Sequence, residues 1–321
     1  MFLGIDGGGT KTAFALVDAG GMEHARHEDG GSYHVETGMD GAAAVLARGC
    51  RAVLAAAGVE AGAVAFAFFG MPAYGEDRAA QALLDRLPRA ILGHDRYLCG
   101  NDMVCSWAGS LACADGISVI AGTGSMAYGE LDGKRARAGG WGELFSDEGS
   151  AFWIAREGLA LFSRMSDGRT PRGPLHALVR ARLALEDDLD VCGVVYGQLN
   201  GDRSRVAQLA RLVTDAAALG DRQAGAILDA AAAELARMVD AVHAALGAAP
   251  DAGLAVSYTG GLFGADGPLR APFAEALAAR ASRYRLAAPR LAPVLGAALY
   301  AARSAGTPLD ASAIARLGAV G

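Results

Sequence analysis

Short apolar segments alternate with longer segments of helical periodicity along the whole chain. The apolar segments predict strands at residues 2–5, 13–17, 63–70, 96–99, 117–121, 126–131 and 254–258. The helical periodicity predicts helices at about 40–57, 76–87, 103–113, 150–165, 174–184, 204–219, 221–247, 270–281 and 294–302. Pro88 is predicted to end the second helix, because proline interrupts a helix interior. Strands mixed with helices in both halves predict a layered α/β protein.

One local pattern occurs twice. An apolar strand, a loop of glycine and hydroxyl residues, and a second strand follow one another at residues 2–17 and again at 117–131. The repetition predicts an internal duplication, and at this length two domains are expected. We therefore predict an N-terminal domain at residues 1–115 and a C-terminal domain at residues 116–321 with helical insertions.

Composition and charge narrow the functional classes. Hydrophobic residues make up 52% of the 321 residues and charged residues 20%, which excludes a disordered chain. The net charge of −6 gives no basic excess, so nucleic acid is not an expected partner. The five cysteines form no Cys-x-x-Cys pair, which predicts a reduced, cytoplasmic protein without structural zinc. The N-terminus lacks a signal-peptide pattern, and no apolar run approaches the ~20 residues of a membrane span.

The first glycine-rich loop, residues 6–12 (DGGGTKT), is the strongest candidate for chemistry. It fits neither the Walker A spacing nor the dinucleotide fingerprint. Glycine N–H groups can approach phosphate closely, and Thr10, Lys11 and Thr12 can donate hydrogen bonds to phosphate oxygens. A carboxylate beside phosphate makes sense when a divalent cation lies between them, so Asp6 is a candidate Mg²⁺ ligand. An ordinary tight hairpin remains the alternative.

The second loop, residues 122–125 (GTGS), is weaker evidence alone because the same residues are common in turns. Its position in the repeated pattern makes it a second candidate phosphate loop. Two such loops on duplicated halves would hold a polyphosphate in the cleft between them.

Asp102 follows a predicted strand and precedes a predicted helix. One interpretation is a helix N-cap, which aspartate favours. The other is a general base at the end of a strand, because a kinase acting on a hydroxyl needs a carboxylate to accept its proton. The residues alone leave the two interpretations open.

Two further segments combine glycine with polar or aromatic residues. In residues 139–150 (GGWGELFSDEGS), Trp141 can form a flat wall and Asp147 can bind sugar hydroxyls; helix capping and core packing are the alternatives. In residues 259–261 (TGG), glycine would let a flat ring lie against the backbone, or the segment is a plain strand-to-helix turn.

The four motifs at residues 4–12, 121–125, 139–150 and 258–261, in this order, resemble the BadF/BadG/BcrA/BcrD ATPase family. Within that family the sequence is most similar to the N-acetylglucosamine kinase branch, from residue 2 to about 303. The resemblance implies two RNase H-like (actin-like ATPase) domains with ATP and sugar in the cleft between them. It also implies an ATP-dependent kinase of the 6-hydroxyl of an amino sugar, with N-acetylglucosamine as the first expectation.

The same resemblance implies roles for individual residues. Asp102 would take the proton of the sugar 6-hydroxyl, and Asp6 would hold Mg²⁺ through water. The ATP contacts would come from Gly8, Gly9, Thr10, Lys11, Thr12, Gly122, Thr123, Gly124, Gly260 and Gly261. The sugar contacts would come from Ser125, Trp141, Gly142 and Asp147.

Two departures from the family pattern keep the sugar open. Residues 32–34 (SYH) stand where relatives tend to place asparagine, and residues 71–74 (MPAY) where they tend to place a small polar residue. Glucosamine, N-acetylmuramic acid and glucose therefore remain alternatives.

An ATPase that activates a partner enzyme through an iron–sulfur cluster is a further alternative, disfavoured because it needs closely placed cysteine ligands. The apolar second half is also compatible with a homodimer.

Overall fold

The computed structural model describes residues 1–280 and 283–319, and the chain divides into two compact units. The first unit is Met1–Ser118 together with the C-terminal segment that begins at Ala288; the second is Val119–Ala287. The sequence-based division placed everything after residue 115 in one domain. In the structure the C-terminal segment packs with the first unit, because one of its helices covers the first sheet. The order of elements along the chain does not reveal such a long-range contact.

The first unit contains a five-stranded sheet. Its strands are β1 (Phe2–Asp6), β2 (Lys11–Val17), β3 (Glu23–Gly30), β4 (Phe66–Met71) and β5 (Tyr97–Asn101), in the order β3-β2-β1-β4-β5. β1 pairs antiparallel with β2 and parallel with β4, which pairs parallel with β5. Nearly every residue of β1 and β4 is buried, as expected for central strands covered on both faces.

The second unit contains a sheet with the same neighbour relations. Its strands are β6 (Gly116–Ala121), β7 (Ser125–Leu131), β8 (Lys134–Gly139), β9 (Leu254–Thr259) and β10 (Tyr284–Leu286), in the order β10-β9-β6-β7-β8. Here β6 takes the place of β1, β7 pairs antiparallel with β8, and β9 pairs parallel with β10. The duplicated strand pattern of the sequence therefore corresponds to two sheets of one topology.

Helices connect and cover both sheets. The first unit has α1 (His34–Ala56), α2 (Arg78–Leu84), α3 (Leu87–Leu92), α4 (Met103–Leu111), α12 (Pro293–Ser304) and α13 (Ala311–Gly318). The second has α5 (Ala151–Ser166), α6 (Pro174–Leu183), α7 (Asp190–Cys192), α8 (Arg203–Ala207), α9 (Ala210–Ala218), α10 (Arg222–Leu246) and α11 (Arg270–Ala278). Among the described residues, no helix combines the length and apolar character needed to cross a bilayer.

Several predicted boundaries need correction. Pro88 does not end a helix but lies in the first turn of α3, where its missing N–H group has no intrahelical partner to lose. The helix predicted at 204–219 is two helices, α8 and α9. The helix predicted at 270–281 ends at Ala278, and residue 281 lies outside the described part. The polar strands β3 and β8, the short β10 and α13 were not predicted.

Candidate active site

Two carboxylates meet at the carboxyl edge of the first sheet. Asp6 ends β1 opposite Gly70 of β4, and Gly70 lies opposite Gly100 of β5. Asp102 follows β5 directly, and a Cβ placed on Gly70 would lie 3.4 Å from the Cα of Asp102. Because β1, β4 and β5 run parallel, their carboxyl ends bring Asp6 and Asp102 to one place.

Asp102 occupies the N-cap position of α4, but its side chain forms no capping hydrogen bond. The N–H of Met103 donates instead to Oδ1 of Asn101, at 3.1 Å. The carboxylate of Asp102 therefore makes no capping hydrogen bond, although the N–H of Met103 is close enough to act on its charge. This geometry weakens the N-cap interpretation of Asp102 that the sequence left open.

Both carboxylates hold protons more tightly than ordinary aspartates. Burial raises the pKa of Asp6 to about 7, and the charge of Asp102 adds to the rise, while the Cys105 thiol and Lys11 oppose it. Burial likewise raises the pKa of Asp102 to about 7, with a contribution from the charge of Glu76 and partial opposition from the N–H of Met103. Carboxylates whose pKa values are strongly shifted by burial and by a neighbouring charge are typical of functional sites.

The first glycine loop is folded tightly against its surroundings. The N–H of Gly7 donates to the carbonyl of Gly70 at 2.8 Å, and the N–H of Ser32 donates to the carbonyl of Gly8 at 3.0 Å. Within residues 1–280 and 283–319, the N–H groups of Gly8, Gly9 and Thr10 have no hydrogen-bond partner. Adjacent free N–H groups in a glycine loop are suited to an anion such as phosphate.

The side chains of this loop differ in orientation. Thr10 is exposed, and the Nζ of exposed Lys11 pairs with Oε1 of Glu28 at 2.7 Å. Thr12 is fully buried and donates its hydroxyl hydrogen bond to Ser32 at 2.9 Å. The side chain of Thr12 therefore supports the loop from inside instead of facing solvent.

The second glycine loop joins the start of α5. The N–H groups of Ala151 and Phe152 donate to the carbonyls of Gly122 and Thr123, at 2.8 and 3.3 Å. Thr123 is exposed. Ser125 is buried and donates to the carbonyl of Glu148 at 2.7 Å, so its hydroxyl ties the loop to the segment before α5.

The segment from Gly139 to Gly149 has an unusual backbone. Gly139, Gly140, Gly142, Asp147 and Gly149 all have positive φ angles, which explains much of its glycine content. The resulting loop leaves Trp141 68% exposed, with the Arg137 guanidinium 5.6 Å from its ring centre. A flat aromatic surface is thus available in the second unit.

Asp147 lies inside this segment and is only 2% exposed. Its Oδ2 lies 2.5 Å from Nη2 of Arg203, and its Oδ1 accepts from the N–H of Gly142 at 3.3 Å. Burial raises the pKa of Asp147 although the charge of Arg203 opposes the rise. The sequence did not identify Arg203, because nothing in its neighbourhood signals a contact 56 residues away.

A cavity of about 990 Å³ lies in the second unit beside the end of β9. Its walls come from α9, from residues 261–268 and from Ala151 and Arg182. Gly261 lines the cavity and faces open space, whereas a Cβ on Gly260 (φ 100°) would overlap the backbone of Ala121. Gly260 thus permits close packing of two strands, and Gly261 leaves room for a flat ring.

Two sheets of one topology, each with a glycine loop after its first strand, define a nucleotide-binding protein of the actin-like ATPase fold with two RNase H-like domains. The chain belongs to the BadF/BadG/BcrA/BcrD ATPase family, whose sequence model matches residues 3–301. The predicted fold class and family are therefore confirmed.

The similar proteins include named sugar kinases. An N-acetyl-D-glucosamine kinase of Dictyostelium discoideum is 29% identical over 318 residues, 95% of this chain and 98% of that protein. An N-acetylmuramic acid/N-acetylglucosamine kinase of Clostridium acetobutylicum is 31% identical over 170 residues, 52% of this chain and 55% of that protein. The crystal structure of a candidate N-acetylglucosamine kinase from Chromobacterium violaceum has a TM-score of 0.74 at 27% identity, covering 92% of this chain and 97% of that chain.

Proposed function

We propose that this protein transfers the γ-phosphoryl group of ATP to the 6-hydroxyl of an amino sugar, and that the sugar is N-acetylglucosamine. The observation that carries the proposal is Asp102, a carboxylate with a pKa near 7 whose side chain makes no capping hydrogen bond and lies near Asp6. The similar proteins from Dictyostelium and Clostridium carry names of kinases for this sugar, which supports the substrate.

In this proposal Asp102 accepts the proton of the 6-hydroxyl as the oxygen attacks the γ-phosphorus. A base with a pKa near the working pH combines a useful ionised fraction with enough basicity to accept the proton. The free N–H groups of Gly8, Gly9 and Thr10 bind phosphate oxygens, and exposed Lys11 and Thr123 add donors.

The carboxylate of Asp6 is a chemically suitable ligand for Mg²⁺. No group of three His, Cys, Asp or Glu side chains in the described residues is arranged to hold a metal by itself. Mg²⁺ is usually held by one or two carboxylates, with water and phosphate oxygens completing its shell. When bound, the ion would neutralise phosphate charge and orient the transferred group.

The second unit would supply the remaining contacts. Gly261 borders the adenosine in the cavity beside β9, and Gly260 supports it by packing the preceding strand end against Ala121. Gly122 and Gly124 shape the second phosphate loop. Trp141, Gly142 and Asp147 bind the sugar. Ser125 contributes by holding the Glu148 carbonyl, because its hydroxyl is already engaged there.

The test is ADP release from Mg·ATP with a panel of sugars: N-acetylglucosamine, glucosamine, N-acetylmannosamine, N-acetylmuramic acid, glucose, and none. We expect N-acetylglucosamine to raise turnover far above the blank and Asp102→Asn to lower it by about 10³-fold. Asp95→Asn is the matched control, since Asp95 is an exposed carboxylate that pairs with Arg89 at 3.5 Å. Phosphorus–proton NMR of the product locates the phosphate.

Other results have definite meanings. Preference for N-acetylmuramic acid or glucosamine would keep the kinase and replace its substrate. Steady ATP hydrolysis that no sugar accelerates, together with iron in the purified protein, would replace the kinase by an activator ATPase. Full activity of Asp102→Asn would remove Asp102 from the base role.

A further inference from the structure

Three charged side chains and one glycine meet in the second unit, and we refer to them as the Arg203 cluster: Gly124, Glu143, Asp147 and Arg203. Nη2 of Arg203 lies 2.5 Å from Oδ2 of Asp147, and Nε lies 3.4 Å from Oε2 of Glu143. Arg203 is 29% exposed and Asp147 only 2%. The guanidinium therefore joins a buried carboxylate to a partly exposed one.

The cluster also touches the second glycine loop. A Cβ placed on Gly124 would overlap the guanidinium of Arg203 and would lie 2.7 Å from Oδ2 of Asp147. Only glycine leaves the ion pair undisturbed at this position. The guanidinium thus lies between the loop at residues 122–125 and the segment that contains Trp141 and Asp147.

Secondary structure holds Arg203 in this place. It is the first residue of α8, whose N-cap Asp202 accepts a hydrogen bond from the N–H of Arg205. α8 packs against α5, and the first N–H groups of α5 bind the carbonyls of the second glycine loop. The Nε of Arg203 is buried and makes no hydrogen bond of normal geometry within the described part of the chain, so the guanidinium is held mainly through Asp147.

We propose that Arg203 is a positioning residue of the sugar kinase: it keeps Asp147 charged and in place, and it fixes the Trp141–Asp147 segment against the second glycine loop. This inference rests on the proposed function. A carboxylate as buried as Asp147 is costly to ionise without a paired cation. Loss of that cation would leave a buried carboxylate without a compensating charge. Asp147 also has a positive φ angle of 57°, so its backbone needs outside support.

The kinetic test compares Arg203→Ala, Arg203→Lys and Arg205→Ala. Arg205→Ala is the matched control, because it removes the same charge from the same helix while Asp147 keeps its partner. For Arg203→Ala we expect the sugar KM to rise about 10- to 100-fold, while kcat and the ATP KM change less than about threefold. Arg203→Lys should recover part of the loss, and Arg205→Ala should match the wild type.

The pH profile supplies a readout that a purely structural role would not change. Three charged groups act on Asp147: Arg203 lowers its pKa, and Glu143 and Glu148 raise it. Removing Arg203 takes away the main group that lowers this pKa and leaves the N–H of Gly142 as the remaining opposition to burial and the two glutamates. In kcat/KM for the sugar we expect an ionisation of Asp147 in addition to that of Asp102. The Asp147 ionisation should move to higher pH in Arg203→Ala, and Asp147→Asn should abolish the movement while the Asp102 ionisation stays in place.

A double-mutant cycle of Arg203→Ala and Asp147→Asn in urea unfolding tests the pair without any activity. We expect the double variant to be more stable than the sum of the single losses predicts. Additive losses, an unchanged sugar KM, or an equal effect of Arg205→Ala would each overturn the inference while leaving the kinase proposal intact. A wild-type protein that phosphorylates no sugar would overturn the proposed function, and the positioning role with it.

Discussion

At the scale of single residues, the two carboxylates at the edge of the first sheet lower the stability of the folded protein. Asp6 and Asp102 both have pKa values raised to about 7, against 3.8 for an ordinary aspartate. A group that binds its proton more tightly in the folded state loses stability as pH rises from its unfolded pKa to its folded pKa. The folded protein therefore carries this cost in full above about pH 7.

Asp102→Asn removes one of the two charges and should make the protein inactive but more stable. We expect a rise in Tm of roughly 5 °C at pH 8, shrinking to almost nothing near about pH 3, where the carboxyl is largely protonated in both the folded and the unfolded state. Scanning calorimetry at the two pH values measures the difference in Tm between the wild type and Asp102→Asn, with Asp95→Asn as the control. A lower Tm at pH 8 would mean that Asp102 stabilises the fold.

The pH dependence of turnover follows from the same groups. A base must be unprotonated to accept a proton, so kcat/KM for the sugar should fall as pH drops through about 7 and level off above it. Initial rates at varied sugar concentration and saturating Mg·ATP, between about pH 5.5 and 9, measure this fall in kcat/KM. A flat profile down to pH 5.5 would show that no carboxylate with a raised pKa limits the reaction.

Sequence patterns identified candidate site residues better than they identified side-chain orientation. Asp102 was placed at a strand end, but only the structure showed that Asn101, and not Asp102, accepts the hydrogen bond from the N–H of Met103. Thr12 and Ser125 belong to loops that the motifs located correctly, yet both side chains point inward and bind protein partners. Orientation depends on neighbours distant in sequence, such as Ser32 and Glu148, which periodicity does not report.

At the scale of elements, apolar central strands were predictable and polar edge strands were not. β3 alternates exposed and half-buried positions and contains mainly charged and histidine side chains, so hydrophobicity gives no signal. β8 begins Lys-Arg-Ala-Arg and behaves similarly. Charged edge strands are a common protection against pairing with other chains, which explains why the strand signal is weakest there.

The packing of α12 on β1 predicts an intolerant glycine. A Cβ on Gly4 would overlap the backbone of Ala298 and Val294 in α12, and backbone atoms cannot move aside as side chains do. Gly4→Ala should lower the free energy of unfolding by about 3 kcal/mol. Gly62→Ala, where a Cβ meets nothing within 4 Å, should be neutral in the same urea titration. Equal stability of the two variants would contradict the close approach of α12.

At the scale of the whole molecule, two sheets of one topology carry very different connections. The connection from β3 to β4 holds α1 and a short helical turn. The connection from β8 to β9 holds six α-helices, α5 to α10, and a π-helical segment at Gly193–Gln198. One of these helices, α9, forms a wall of the cavity beside β9. The duplication supplies a glycine loop to each unit, and the inserted helices add a cavity wall to the second unit, where we propose that the nucleoside binds.

This asymmetry leads to a prediction about nucleotide binding. Gly261 borders the cavity and a Cβ there meets nothing within 4 Å, so Gly261→Leu should fill cavity space without disturbing the backbone. We expect the KM for ATP to rise about tenfold while the sugar KM at saturating ATP stays within about twofold, because only nucleoside contacts are lost. Gly225→Leu is the control, since Gly225 lies in α10 in equally open surroundings outside the cavity wall.

Displacement of a fluorescent ATP analogue measures the same loss of nucleotide affinity without turnover. Unchanged nucleotide affinity in Gly261→Leu would mean that the adenosine binds elsewhere and that the helices around the cavity serve another ligand.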